Sequence, residues 1–346
     1  MSIKTREIDP HLCEAAFYEK PFKFSYSSMN KVLTSPGIFY REYILKDREK
    51  QYGKHLLEGT VIHYLVLENE GFDDKFLVLS DNLPSDTNRI VADYCFEMYA
   101  ERDDDTLILT DFTPEILEKL LDINKHQSLK DTKDGLGDDK RIAKIADQKT
   151  LDYFEFLKKQ AGRTIIDSAL LDKCTRRADV VKENLQMRAL LGLDLVSDGK
   201  TYGVYNELAL DIEAAEGEHF GYKGILDNLV IDVAKKQVRI NDFKTTGKDL
   251  KNFSEAVEFW NYWLQAAMYT KLVRNFLGKV ITDEWTIEFR FIVFDKYDQL
   301  YAFPVTDETM SEWVAKMKVV EKEAAYHYVS KDFTLPYEYA RGLVKL

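Results

Sequence analysis

The chain has 346 residues, 45% hydrophobic and 13% aromatic, which is enough apolar side chain to bury a sizeable core. Charged residues make up 31% and prolines number only 7, a composition that excludes a disordered chain. The net charge of -12 argues against broad non-specific binding of nucleic acid, although a local basic groove is compatible with it.

Along the chain, residues 25 to 69 are expected to form two helices. "SYSSMNKVLTSPGIFYREYI" offers serine caps and a Pro36-Gly37 break, and "KHLLEGTVIHYLVLE" spaces Leu57, Val61, Ile62, Leu65 and Val66 for a buried face. Between 72 and 110, "KFLVLS" and "TLILT" have the character of short strands around a helical "TNRIVADYCFEMYAE". Residues 113 to 160 are helical and highly charged, with "SLKDTKDGLGDDKR" as a solvated loop. The spacing from 164 to 193 predicts one long amphipathic helix broken near Gly192.

Beyond that point the character changes to strands. "YGVYNELALDIEA" alternates, and "HFGYKGILDNLVIDVAKKQVRINDFKTT" predicts two strands joined by a tight turn at Ala234-Lys235. A helix started by Ser254 and ended by Gly278 follows, then a strand pair, "EWTIEFRFIVFD" and "QLYAFPVT", and a last amphipathic helix over 307–329. The organisation expected is helices of a core at 1–69, a charged and mostly helical insertion at 70–160, and the remaining core at 161–346.

The three cysteines, Cys13, Cys95 and Cys174, lie far apart and form no CxxC pair. Zinc ribbons, an iron–sulfur cluster and a disulfide framework are not expected. Neither a secretory signal nor a run of ~18 apolar residues is visible, so the expectation is a cytoplasmic protein with no membrane association.

The hairpin at 222–245 carries the chemistry. With its turn centred between Ala234 and Lys235, facing residues have numbers that sum to a constant, and Asp227 falls opposite Asp242, Cβ atoms ~4.5–5.5 Å apart. Lys244, two residues on, shares that face. Facing carboxylates destabilise a sheet unless a cation or proton compensates. Two carboxylates beside a lysine suit an oxygen-liganded Mg²⁺ or Mn²⁺ and the polarisation of a phosphate. A twisted, half-exposed hairpin with ordinary surface charges fits the same stretch about equally well. Glu207 on the preceding strand offers a third acid, and Gly224, three residues before Asp227, permits close backbone approach.

"GILD", then "DFK", then "QAAMY" resembles the PD-(D/E)XK nuclease superfamily, in its RecB-like branch and especially its RecE-type (exonuclease VIII-like) phage exonucleases. "SYSSMNKVLTSPGIFY" and "EGTVIHYLVLE" resemble that family's opening serine-rich helix and its G-x-x-x-H helix. The resemblance covers roughly residues 25–69 and 160–275. It departs at the first acid, where the family usually has Pro-Asp and this chain has Leu226-Asp227.

The resemblance implies an α/β core with a mixed central sheet flanked by helices and carrying a helical insertion. Asp227, Asp242 and His63 would be metal ligands, with the Phe243 carbonyl as a further one. Lys244 would activate or orient the attacking water, Glu207 would serve as a second acid for metal or water, and Gln265 and Tyr269 would hold the motif and contact the DNA backbone. Each has a plainer alternative: a core histidine, ordinary helix-face residues, a strand-edge charge. The implied activity is Mg²⁺-dependent hydrolysis of DNA, favouring double-stranded ends, for recombination or phage DNA metabolism. A structure-specific endonuclease, a single-strand nuclease or a silent DNA-binding module are the alternatives. A single-strand annealing protein and a homo-oligomer are expected partners by the same likeness. Trp260, Tyr262 and Trp263 are expected chiefly to pack their helix, with base stacking as the alternative. Lys46, Arg48, Lys50 and Lys54 form a basic cluster that could bind phosphates or simply be solvated.

Overall fold

The structure is a computed structural model that describes residues 22–47, 54–102, 104–130, 135–160, 162–198 and 200–344. The chain divides into two compact units, Met1–Asn69 with Cys174–Leu346, and Glu70–Lys173. The smaller unit runs on to Lys173, past the boundary expected at residue 160. Among the described residues no helix is long and apolar enough to cross a membrane.

The smaller unit pairs two short parallel strands, β1 (Phe76–Leu79) and β2 (Thr164–Asp167). Its helices Asp86–Ala100, Thr113–Asp122, Gly137–Ile145 and Gln148–Lys158 enclose their own core, built on Val91, Cys95, Phe112, Ile116 and Phe154. Two expectations are corrected here. "TLILT" is not a strand: the carboxylates of Asp104 and Asp111 capture the backbone N–H groups of Thr106 and Ile108, and the chain turns into a 3₁₀ segment, Leu109–Phe112. "TIID" does not open a long helix either. Its β-branched residues pair with β1, and Asp167 caps the helix Ser168–Glu183 by accepting from Leu170 N at 2.7 Å. A new cap at Asn184 then starts Leu185–Leu191, which ends at Gly192 with φ 67°.

The larger unit is a five-stranded mixed sheet in the order β3 (Tyr202–Ile212), β4 (Tyr222–Asp232), β5 (Gln237–Thr245), β6 (Thr286–Phe294), β7 (Leu300–Val305). Only the β5–β6 pair is parallel, as a connection through a helix requires. The predicted hairpin register is the observed one: Asp232 faces Gln237 and Asn228 faces Asn241.

The helix expected over 254–278 is two helices, Phe253–Phe259 and Tyr262–Leu277. They are separated at Trp260-Asn261, where Asn261 takes φ 56°, and Ser254 is not the cap. Tyr262–Leu277 is buried along most of its length and, with Asp307–Ser330, contributes to the core against the sheet. Gly224 is what lets that helix approach β4, because a Cβ there would meet Tyr269 Cε1 at 2.9 Å and Leu272 Cδ1 at 3.0 Å. Gly224→Val therefore overpacks the interface and should cost about 1–3 kcal/mol in denaturant unfolding.

Candidate active site

Three acids align across the sheet. Asn206 pairs with Asn228 and Leu208 with Leu226, so continuous register sets Glu207 of β3 against Asp227 of β4. The β4–β5 ladder ends at Asn228–Asn241, one step short of setting Asp227 against Asp242. Regular pairing gives way at this row. Glu207 has φ 45°, a left-handed backbone that a non-glycine residue inside a strand adopts only under constraint. Asp227 takes over the role of a ladder carbonyl, its Oδ2 accepting from Phe243 N at 2.6 Å.

His63 projects into the row from the Lys54–Leu67 helix. Its Nδ1 lies 3.3 Å from Glu207 Oε1 and its Nε2 3.6 Å from Asp227 Oδ2, with the ring edge-on to Phe243 at 5.4 Å. Ligand atoms of His63, Glu207 and Asp227 all lie within 4.8 Å of one another, and buried Glu207 Oε1 has no well-formed hydrogen bond. One imidazole nitrogen and carboxylate oxygens around an under-satisfied point fit a divalent cation.

Asp242 stands outside that cluster and is fully buried. Gln265 Nε2 donates to its Oδ1 at 2.9 Å, and Lys244 Nζ pairs with its Oδ2. Lys244 also lies 4.9 Å from the centroid of the Tyr262 ring. Gln265 Nε2 donates in turn to Tyr269 Oη at 3.1 Å, and both residues are only 7% exposed. The resemblance offered Gln265 and Tyr269 as DNA contacts as well as supports of the motif. Both are buried, and Gln265 reaches Asp242 from the helix behind it. Lys54 is the first residue of its helix, Lys46 is exposed in the loop before it, and Arg48, Lys50 and Cys13 lie outside the described residues. Of the three aromatic residues weighed for base stacking, Trp263 is 2% exposed and belongs to the core, whereas Trp260 is 52% exposed.

A second row escaped the sequence reading. Asn206, Asn228 and Asn241 form a chain across the same three strands, with Asn241 Nδ2 donating to Asn228 Oδ1 (2.7 Å) and Asn228 Nδ2 to Asn206 Oδ1 (2.8 Å). Each also donates to a carbonyl at the end of a helix: Asn206 to Leu67 O, Asn228 to Leu191 O and Asn241 to Leu190 O. Terminal carbonyls have no partner within their own helix, so these side chains cap two helices from the sheet. One of them carries His63. The signal was present in the sequence, because each of the three acids has an asparagine as its immediate neighbour.

Charge in the row is poorly compensated. Burial opposes a proton on His63, but the nearby Asp227 and Glu207 outweigh it and hold the imidazole up at about 9. Burial pushes Asp242 up to about 7 against the pull of Lys244, and burial likewise raises Asp227. Burial disfavours the Lys244 ammonium, yet Asp242 and Asp227 keep its pKa above the ordinary value.

No protein-family model matches the chain, and no curated protein matches it. Among solved structures, one of a presumed exonuclease from Eubacterium rectale matches with a TM-score of 0.50 and 12% identity, over 98% of this chain and 93% of that one. At that identity the likeness is one of fold.

Two outcomes follow from the site. Asn228→Ala strands three buried hydrogen-bonding groups and should lower unfolding free energy by on the order of 2–3 kcal/mol in denaturant titration. The second concerns pH. Asp242 (ordinarily 3.8, here about 7) and His63 (ordinarily 6.5, here about 9) both bind protons more tightly when folded, so their contribution to stability falls as pH rises across these two windows. In EDTA the wild type should lose stability between pH 6.5 and 9 more steeply than His63→Gln. Saturating Mn²⁺ should restore stability to the wild type at high pH, where protons no longer compete for the ligands.

Proposed function

We propose that the chain is a metal-dependent nuclease that hydrolyses phosphodiester bonds of DNA, most simply as an exonuclease. The observation that carries this is the row of Glu207, Asp227 and Asp242 on three adjacent strands, joined by His63 and Lys244. A structural protein has no use for buried like charges beside a strained backbone, since such groups lower stability. The fold likeness to a presumed exonuclease agrees with the reading.

His63, Glu207 and Asp227 would hold a divalent cation, with Asp242 and the Phe243 carbonyl as further oxygens. Bound there, such a cation neutralises charge developing on a phosphate and lowers the pKa of water. The remaining work falls to the chain. Gln265 fixes one oxygen of Asp242, Lys244 holds the other, and the ammonium stays charged over the Tyr262 ring. From that position Lys244 can donate to the attacking water or to a phosphate oxygen as negative charge builds in an in-line displacement. Asp227 keeps Phe243 N occupied and so fixes the backbone between Asp242 and Lys244.

RecE-type double-strand-end specificity, a role in recombination or phage DNA metabolism and an annealing-protein partner complete the proposal. They rest on the resemblance of the "GILD", "DFK" and "QAAMY" segments.

Purified protein should degrade linear duplex DNA in Mg²⁺ and stop on addition of EDTA. Asp227→Asn and Lys244→Met should each slow cleavage by about 10²-fold or more. Asp227→Asn keeps an acceptor for Phe243 N while removing one of the clustered charges, so its melting temperature in EDTA should equal or exceed that of the wild type. Equal cleavage of covalently closed circles would point to an endonuclease. Absence of cleavage with any metal would sink the nuclease reading.

A further inference from the structure

We infer that Phe259 and Trp260 form a stacking platform for unpaired nucleobases beside the acid row. This rests on the nuclease reading and adds the form of nucleic acid that the site meets. The two rings sit on the turn between the helices Phe253–Phe259 and Tyr262–Leu277, and they are 71% and 52% exposed. They lie edge to face with centroids 4.8 Å apart.

The turn that displays them is tightly fixed. Tyr26 Oη and Asn30 Nδ2 both donate to Trp260 O, at 2.5 and 3.3 Å. Asn261, at φ 56°, donates from Nδ2 to Asn30 Oδ1 at 2.8 Å and accepts from Trp263 Nε1 at 3.0 Å. Two residues past Trp260, Tyr262 receives Lys244 on its ring, so the turn that carries the platform is next in sequence to a residue in contact with the lysine proposed to act on the phosphate.

The occupant can be argued from size and charge. A stable protein interface needs ~800 Å² from each partner, far more than two rings supply, whereas a single base covers one ring face. Glu255 and Glu258 flank the turn, and both are paired, with Lys248 at 2.7 Å and Lys316 at 3.0 Å. Their charge is therefore offset where a phosphate backbone would pass.

Because both side chains are exposed, Phe259→Ala/Trp260→Ala should fold normally. The test is binding of fluorescein-labelled oligothymidine by the full chain with Ca²⁺ in place of Mg²⁺, so that the acid row is neutralised, on strands shown by gel to stay uncut during the measurement. Stacking is worth ~1–3 kcal/mol per base, so the double variant should bind about tenfold more weakly or worse. The salt dependence of binding should be unchanged, since no phosphate contact is removed. An abasic strand of the same length should bind wild type and variant alike. Equal affinity of wild type and variant for oligothymidine, or an equal loss with the abasic strand, overturns the platform. So does a smaller sedimentation coefficient of the variant without DNA, which would make the rings a contact between copies. Cleavage in Mg²⁺ is scored separately. A chain that cleaves DNA while the variant binds normally loses only the platform, and one that binds through the rings but cleaves nothing loses only the nuclease reading.

Discussion

Everything at the site depends on one electrostatic constraint: three carboxylates placed side by side on neighbouring strands and largely removed from water. Carboxylates in that arrangement repel, and the surrounding structure is organised to tolerate them. Lys244 pairs with Asp242, His63 sits between Glu207 and Asp227, and Asp227 accepts a backbone N–H that the opening ladder would otherwise leave free. The strain at Glu207 belongs to the same account. A regular strand would keep that side chain in its pleat, and the left-handed backbone departs from it beside Asp227.

The asparagine row explains how so repulsive an arrangement keeps its register. Asn206, Asn228 and Asn241 hydrogen-bond one another across the strands, each one residue away from an acid, and tie those strands to the ends of two helices. Attraction in one row thus holds the strands at the spacing that the adjacent row would open. It also sets the helix of His63, through Leu67 O, against the strand of Glu207. Apolar residues at these three positions would pack well but could not satisfy the terminal carbonyls.

Local patterns in the sequence were enough to place the hairpin and its register, whereas His63 entered the reading only through the family resemblance. The alternation of β3 to β5 and the turn at Ala234-Lys235 are short-range features, and a period of two carries side-chain direction without ambiguity. What failed had a different origin. "TLILT" has strand composition, but flanking aspartates took its backbone donors. "TIID" sits before a strong helix pattern and became a strand through a partner nearly ninety residues away. The break at Asn261 was hidden because apolar spacing continues through it. Gln265 and Tyr269 were visible as a pair on one helix face toward the hairpin, and packing adds the link of Gln265 to both Asp242 and Tyr269.

The proposed handling of DNA by an acidic chain would be contradictory only if charge were averaged over the surface. Within the row, three carboxylates stand against one lysine and an imidazole that the carboxylates themselves keep protonated. Left so, the site repels a phosphate. A divalent cation held by His63, Glu207 and Asp227 would displace the imidazole proton and bring the row close to neutral, leaving Lys244 as an ammonium free of net competition. Affinity for a phosphodiester would then be conditional on the cation, whatever the remaining acids of the surface contribute, because screening confines their influence to about 8–10 Å at ordinary ionic strength. On the proposed function, the net charge of the chain would govern how it approaches nucleic acid, and the charge of five residues whether a phosphate can stay.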